Sequence, residues 1–298
     1  MNRNQFNVKN GINGFTKLIV CLFVLFNLEV FAAAPPIKVM SFNIRYGAAK
    51  DGTNSWQYRK ELVVQTVKVF DPDLMGMQEV LDYQGEYLKK NLNQYGFYGV
   101  GREDGKQKGE FVPVLFKKSR FKMIKWGYFW LSETPEVVGS KSWDSSLPRI
   151  CTYVLLKDKY ANRELVYANV HYDHIGKVAR AESSKLVRKR MKEFEGKYPI
   201  ILTGDFNATE DTDAYKFLIE GGDNDNKWVD SFRVIHPIPT PYELSFNGWK
   251  YVREGKRIDW IVHTPDMVSI NAMIDYTCDN GRLPSDHYPV EAVIRHKY

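Results

Sequence analysis

Short polar side chains recur in this sequence at the points where apolar runs end. Asn43 closes Ser41-Phe42-Asn43-Ile44-Arg45, and Glu79 closes Met77-Gln78-Glu79-Val80. His171 ends Ala168-Asn169-Val170-His171, while Asp205 and Asn207 follow Ile201-Leu202-Thr203-Gly204. Asp259 lies within Lys256-Arg257-Ile258-Asp259-Trp260-Ile261, and Asp286-His287 immediately precede Tyr288-Pro289-Val290. Carboxylates are hard oxygen donors that hold Mg²⁺ or Mn²⁺ with positions left open for water and substrate. A histidine paired with a carboxylate makes a general base, because the carboxylate fixes the ring and stabilises the imidazolium. Asparagine amides contact anionic oxygens without adding repulsive charge. A phosphoester repels nucleophiles by its own charge, so its hydrolysis gains from all three components. Singly, each residue has an ordinary explanation. Asn43, Asp205 and Asn207 suit turns, Glu79 suits a helix start, and Asp286-His287 would pass as a surface pair. Their repetition at strand ends points instead to one cleft.

The runs that would carry these groups are Ile37–Asn43, Leu74–Gln78, Val112–Lys117, Ile150–Leu156, Leu165–His171, Ile200–Thr203, Ile258–His263 and Tyr288–Ile294. Most are rich in Val, Ile, Tyr and Phe and are bounded by Gly, Pro, Asp or Asn, the mark of strands. Two helices stand between them. Val63, Val67 and Phe70 share a face that closes at Asp71-Pro72, and Ser183, Val187, Met191 and Phe194 share another. Lys185, Arg188, Lys189, Arg190 and Lys192 crowd the second helix, which reads as a solvated face. Many strands with few helices over this length predict an α/β (α+β) fold of two stacked sheets flanked by helices, in a single domain. Nothing in residues 35–298 marks a second domain.

The first 34 residues differ from the rest. Arg3, Lys9 and Lys17 make a basic start, Leu18 to Phe26 is apolar throughout, and Ala32-Ala33-Ala34 precedes Pro35. This is the layout of a secretory signal peptide, so residues 1–34 are expected to direct export to the periplasm or outside the cell. The apolar run is short for a bilayer span, and no stable membrane insertion is expected. Losing Arg3, Lys9, Lys17 and Glu29 with the leader takes the formal charge from +6 to +4. A mildly basic chain is compatible with a phosphorylated or polyanionic substrate. Cys151 and Cys278 remain; export would permit a disulfide, but spacing does not say whether they meet. Two cysteines are too few for a structural zinc site.

Six blocks, SFNIR, DLMGMQEV, NVHYDH, ILTGDFN, KRIDWI and SDHYPVEAVI, stand in this order between residues 37 and 295. Together they resemble the endonuclease/exonuclease/phosphatase superfamily. That group includes pancreatic-type deoxyribonucleases, abasic-site endonucleases, bacterial sphingomyelinases, inositol-polyphosphate phosphatases and deadenylases. The resemblance implies a four-layer αββα sandwich of two mixed sheets with its site at one sheet edge, dependent on Mg²⁺ or Mn²⁺. It implies that Glu79 is the principal metal ligand, with Asn43 and Asp286 close to the metal or the phosphate. Asp205 and Asn207 would bind phosphate, position the attacking water or hold a second metal. His287 would be the general base, oriented by Asp259, and His171 would hydrogen-bond the phosphate. The number of metal ions and the group that activates water stay open.

Tyr128-Phe129-Trp130-Leu131-Ser132-Glu133-Thr134-Pro135, Ser142-Trp143-Asp144 and Pro148-Arg149-Ile150 resemble a subgroup of small bacterial-type members. In that subgroup Arg149 would reach the substrate phosphate through its planar fork; a strand-edge salt bridge is the alternative. Asp173, His174 and Arg180 belong to the same pattern, with His174 read as a loop histidine, not a ligand. Arg59 is expected to line the cleft, Trp56 either to line it or to sit in the core, and Phe246 to Tyr251 to form a turn near the site. The leading expectation is an exported, monomeric phosphodiesterase or nuclease acting on a phosphoester such as nucleic acid. A phosphomonoesterase or a sphingomyelinase-like lipid phosphodiesterase is the alternative. An inactive binding module on the same fold is the remote one, since none of Glu79, Asp205, Asp259 or His287 has been lost.

Overall fold

Alternation along the central strands assigns their two faces to different cores. In the computed structural model, which describes residues 34–222 and 225–297, β1 is Ile37–Asn43. Ile37 and Val39 face an apolar cluster between two sheets, while Met40 and Phe42 face a second cluster under helices. Strand β2 (Leu74–Gln78) repeats this, with Leu74 inward and Met75 and Met77 outward. A strand buried on both faces needs cover on both, which dictates layers.

The first sheet runs β11 (Met267–Ile274), β12 (Val290–His296), β1, β2, β4 (Val114–Lys117) and β3 (Tyr95–Tyr98). The second runs β5 (Phe121–Trp130), β6 (Ile150–Asp158), β7 (Arg163–His171), β8 (Ile200–Asp205), β10 (Asp259–His263) and β9 (Val229–Asp230). Each sheet has one parallel pair at its centre, β1 with β2 and β7 with β8, and antiparallel neighbours on either side. Helix α1 (Trp56–Phe70) joins the first parallel pair and α3 (Lys177–Met191) the second. α1 and α2 (Asp82–Asn91) cover the outside of the first sheet; α3 and α4 (Asp213–Glu220) cover the second. The short α5 (Ser231–Ile235) adds Phe232 to the core between the sheets. The result is the expected four-layer sandwich.

Toward the ends of the parallel pairs the inter-sheet core turns polar. Gln78 donates to Asn169 Oδ1 at 2.7 Å, and Asn169 donates in turn to the Met77 and Pro113 carbonyls at 2.7 and 2.9 Å. Tyr167 and Thr203 share a 2.9 Å hydrogen bond. Gly76 lets the sheets approach closely, since a Cβ there would stand 2.1 Å from Thr203 Oγ1.

All eight expected strands coincide with observed ones, with ends shifted by a few residues. Strands β3, β5, β9 and β11 and helices α2, α4 and α5 were not anticipated. β3, β5 and β11 lie at or next to sheet edges, where half-exposed positions blur the apolar pattern. Cys151 and Cys278 are free: Cys151 is buried beneath the α3 layer, and Cys278 packs on the inter-sheet core. The expected leader, apart from Ala34, lies outside the described residues. Among the described residues no helix is long and apolar enough to cross a membrane.

Candidate active site

Parallel strands of one sheet end together, and here both parallel pairs end at the same edge of the sandwich. Asn43 ends β1 opposite Gln78, which places Glu79 one residue beyond β2. His171 ends β7 opposite Asp205 at the end of β8, and Asp259 opens the antiparallel β10 opposite that same Asp205. Asp286 and His287 arrive just before β12, the antiparallel neighbour of β1. Three residues here hold positive φ: Arg45 at 63°, Glu79 at 62° and Asn207 at 48°. Such conformations cost about 1–3 kcal/mol each and persist where the surroundings enforce them. At Glu79 the enforcing contacts are to its carboxylate, which accepts from Asn43 Nδ2 at 3.0 Å and from the Tyr46 N–H at 2.6 Å.

Asp205 Oδ2 is the centre of the constellation. Asn43 Nδ2 donates to it at 2.9 Å, His171 Nε2 stands at 3.4 Å and His287 Nε2 at 3.7 Å. On its other side His287 donates from Nδ1 to Asp259 Oδ2 at 2.9 Å. Burial alone would strip His287 of its proton, but Asp259, Asp205 and Asp286 together outweigh it and push the ring up to about 10. His171 behaves oppositely. Burial, then the Arg149 charge, hold it down at about 3, so its contacts with Asp205 and Glu110 are those of a neutral imidazole. Burial raises the Asp205 carboxyl, with the nearby Asp259 charge adding to it, and burial likewise raises Asp286.

That surplus of buried acid fits a hard divalent cation. One ligand atom each from Glu79, Asp205 and His287 lie within 4.8 Å of one another. Asn43 bridges Glu79 and Asp205 through its amide nitrogen, and its Oδ1 accepts from the Arg45 N–H at 2.9 Å. Asp286 turns toward Arg45 Nη1 at 3.4 Å. Asn207 donates its backbone N–H to Asp205 Oδ1 and its amide to the Tyr172 carbonyl. Arg149 donates from Nε to Asp173 at 3.4 Å and from Nη2 to His174 Nδ1 at 2.9 Å, while its buried Nη1 has no protein partner.

These groups line a pocket of about 340 Å³ that includes Glu79, Arg149, His171, Asp205, Asn207, Asp286 and His287. Arg45, Tyr46, Glu110, Leu147, His174 and Phe246 also line it. Glu110, whose Oε2 faces His171 Nδ1 at 3.6 Å, escaped sequence reasoning because it follows a turn outside any strand motif. Trp56 and Arg59 do not line this pocket. Arg59 is buried behind it and ties the Ile44 and Pro284 carbonyls at 2.6 and 3.0 Å, pinning the loops that carry Asn43 and Asp286. The Phe246–Tyr251 segment forms the expected turn, with the Phe246 ring 5.0 Å from that of His287. A second cavity of about 460 Å³ lies by α5 and β11 and has apolar walls, away from these groups.

The sequence model of the endonuclease/exonuclease/phosphatase family matches residues 40–287. The chain belongs to that family. Among solved structures, an endonuclease/exonuclease/phosphatase protein from Bacteroides vulgatus is 34% identical with a TM-score of 0.81, covering 88% of this chain and 99% of that one. A mannosyl-6-phosphatase of Bacteroides thetaiotaomicron is 35% identical with a TM-score of 0.78, covering 87% of this chain and 99% of that one. Rat nocturnin is 24% identical over 90% of this chain, which spans 66% of the relative's length. The chain is thus a phosphoesterase of the endonuclease/exonuclease/phosphatase family, whose members are generally dependent on divalent metal.

Proposed function

We propose that this chain is an exported, Mg²⁺- or Mn²⁺-dependent hydrolase that cleaves phosphoester bonds with water activated by His287 and Asp259. The observation that carries it is the 2.9 Å His287–Asp259 contact beside the Glu79 and Asp205 carboxylates, which each bring an atom within 4.8 Å of the His287 ring nitrogen and of each other. Glu79 and Asp205 would hold the cation, with Asn43 keeping the two carboxylates in register. A cation bound there neutralises phosphate charge and polarises the ester for attack.

The chain's own residues supply the rest. Asp259 fixes the His287 ring and compensates the charge that it gains when Nε2 takes a proton from water. Were Asp205 to hold a cation, one of the three carboxylates that keep a proton on His287 would be drawn on, and the ring would then lie closer to its base form. His171, kept neutral by burial, donates a hydrogen bond to a phosphate oxygen without competing for the water's proton. Arg149 presents its free Nη1 to another phosphate oxygen as a charge-assisted donor. Asn207 and Asp286 complete the wall around the phosphate.

The small pocket and the unpartnered Nη1 of Arg149 favour a phosphomonoester, whose dianion needs a further donor, and the 35% identity to a mannosyl-6-phosphatase supports this. The nuclease reading keeps its own support, from relatives that include a Ccr4 3'-5'-exoribonuclease subunit and a tyrosyl-DNA phosphodiesterase 2. The test is turnover by the purified protein with Mg²⁺, Mn²⁺ or EDTA. Substrates are single- and double-stranded DNA, RNA, sphingomyelin, bis-p-nitrophenyl phosphate, p-nitrophenyl phosphate and hexose 6-phosphates. Chelator-sensitive release of phosphate from monoesters is expected. Cleavage confined to nucleic acid would transfer the same chemistry to diesters, and absence of metal-dependent turnover on all of them would refute the proposal.

A further inference from the structure

One wall of the pocket carries a donor that the reaction above does not use. His174 is exposed there, and its Nδ1 lies 2.9 Å from Arg149 Nη2. A guanidinium has donors only, so Nδ1 must offer its lone pair and the ring proton stands on Nε2. Arg149 thereby sets the tautomer of His174, a pocket-lining ring whose N–H stands on Nε2.

This wall is built to stay still. Asp173 Oδ2 accepts from Ser146 N and Oγ at 3.1 and 2.7 Å and from Leu147 N at 3.2 Å, besides Arg149. Asp173 Oδ1 accepts from the N–H groups of Ile175 and Gly176 at 3.0 and 2.8 Å. Asp144 clasps the start of α3 through Val178 N at 3.1 Å and Ala179 N at 2.6 Å. A Cβ on Gly176 would stand 2.5 Å from Asp144 Oδ1, so the clasp closes only over a residue without a side chain. A donor held this way loses little entropy when a ligand meets it. The same pocket is lined by Tyr46 and Phe246, whose rings are 38% and 45% exposed.

We propose that His174 is a specificity-determining residue whose Nε2–H donates to a hydroxyl oxygen of the leaving alcohol, so that the pocket prefers phosphoesters of hydroxyl-bearing rings to aryl phosphates. The proposal rests on the phosphoesterase reading of this site. Arg149 holds the phosphate, His174 holds the alcohol, and the apolar face of the ring packs on Phe246 or Tyr46. Two sources share this chemistry, monosaccharide phosphates and ribonucleotides.

The experiment measures kcat and KM of the full chain with Mg²⁺ for a hexose 6-phosphate, a ribonucleoside 5′-monophosphate and p-nitrophenyl phosphate. The wild type is compared with His174→Ala, His174→Gln and Arg149→Ala. The wild type should favour one hydroxylated ester by tenfold or more in kcat/KM, and which one it favours separates sugar from nucleotide. His174→Ala should lose about tenfold on that ester, the worth of one ordinary hydrogen bond, through a higher KM. It should stay within twofold on p-nitrophenyl phosphate. His174→Gln, whose amide still donates, should recover part of the loss, and Arg149→Ala should lose activity on all three esters. A wild type without preference for a hydroxylated ester overturns the proposal. So does a His174→Ala variant that loses equally on all three, since that pattern means the histidine acts through the phosphate end. No chelator-sensitive turnover by the wild type on any phosphoester would instead remove the phosphoesterase reading, and the proposal with it.

Discussion

Replacing Asp259 by asparagine separates orientation from shape at the centre of the proposed mechanism. Asp259 opens β10, is 1% exposed, and accepts the His287 Nδ1 proton at 2.9 Å, while its Oδ1 has no protein partner. Asparagine fills the same volume, so packing should survive. Its amide can meet Nδ1 as a donor, which would send the ring proton to Nε2 and occupy the lone pair that water needs. The variant also removes the first of the attractions that hold the His287 proton against burial. Loss of a positioned base costs about 10²–10⁴ in rate, and a base trapped in the wrong tautomer reaches the upper end of that range, about 10⁴. At roughly 1.4 kcal/mol per decade this is about 3–5 kcal/mol of lost transition-state stabilisation. The assay is kcat and KM for Asp259→Asn and wild type across pH 5–10 at saturating Mg²⁺, with circular dichroism and a thermal melt to verify folding. The expected outcome is a fall of about 10²–10⁴ in kcat, with KM changed by a few-fold at most. A folded variant within threefold of wild type, with an unshifted pH profile, would refute the dyad.

Four further outcomes follow from the same geometry. His287→Ala and Asp205→Ala should each lower kcat by about 10² or more, read with the same substrate; near-normal turnover removes the role assigned to that residue. Glu79→Ala should raise the Mg²⁺ or Mn²⁺ concentration for half-activity, and coincident titration curves would mean that Glu79 is not the main ligand. Gly76→Ala forces a methyl group to within 2.1 Å of Thr203 Oγ1 and should cost about 1–3 kcal/mol in urea unfolding. In EDTA-treated protein the two site histidines should oppose each other, as seen in their ring proton resonances and in unfolding midpoints across pH. The stability from His287 is complete below about 6.5 and is lost as pH rises toward its value of about 10. That from His171 is complete above about 6.5 and is lost as pH falls toward about 3.

The central strands were legible because each is short, apolar and bounded by turn residues, and because the eight site groups sit at those ends or within a few residues of them. β3, β5 and β11 were not, since a strand with one wet face and no second layer above it carries a weaker pattern. Helix α2 interrupts its face with Gly85 and α4 is only eight residues long, so neither shows enough period to be read. In the pocket, the residues on strand ends were anticipated, whereas Glu110, Tyr46 and Leu147 come from loops. Loop residues reach the pocket through contacts far apart in the chain, and no local spacing announces them. Arg59 shows the converse. Its type and position suggested the cleft, yet it lies behind it as a clamp on two loops.

By itself the sequence determined the kind of chemistry and the layered architecture. Both depend on residue type and short-range period, which survive without coordinates. Only the tertiary structure decided how the charges settle. His171 and His287 are the same side chain, one at the end of β7 and one just before β12, and face the same oxygen of Asp205. One is held neutral by burial and Arg149, and the other is held protonated by three carboxylates. That difference arises from groups brought together by folding, because a pKa is set by the charges and the dielectric around a group and not by its neighbours in the chain.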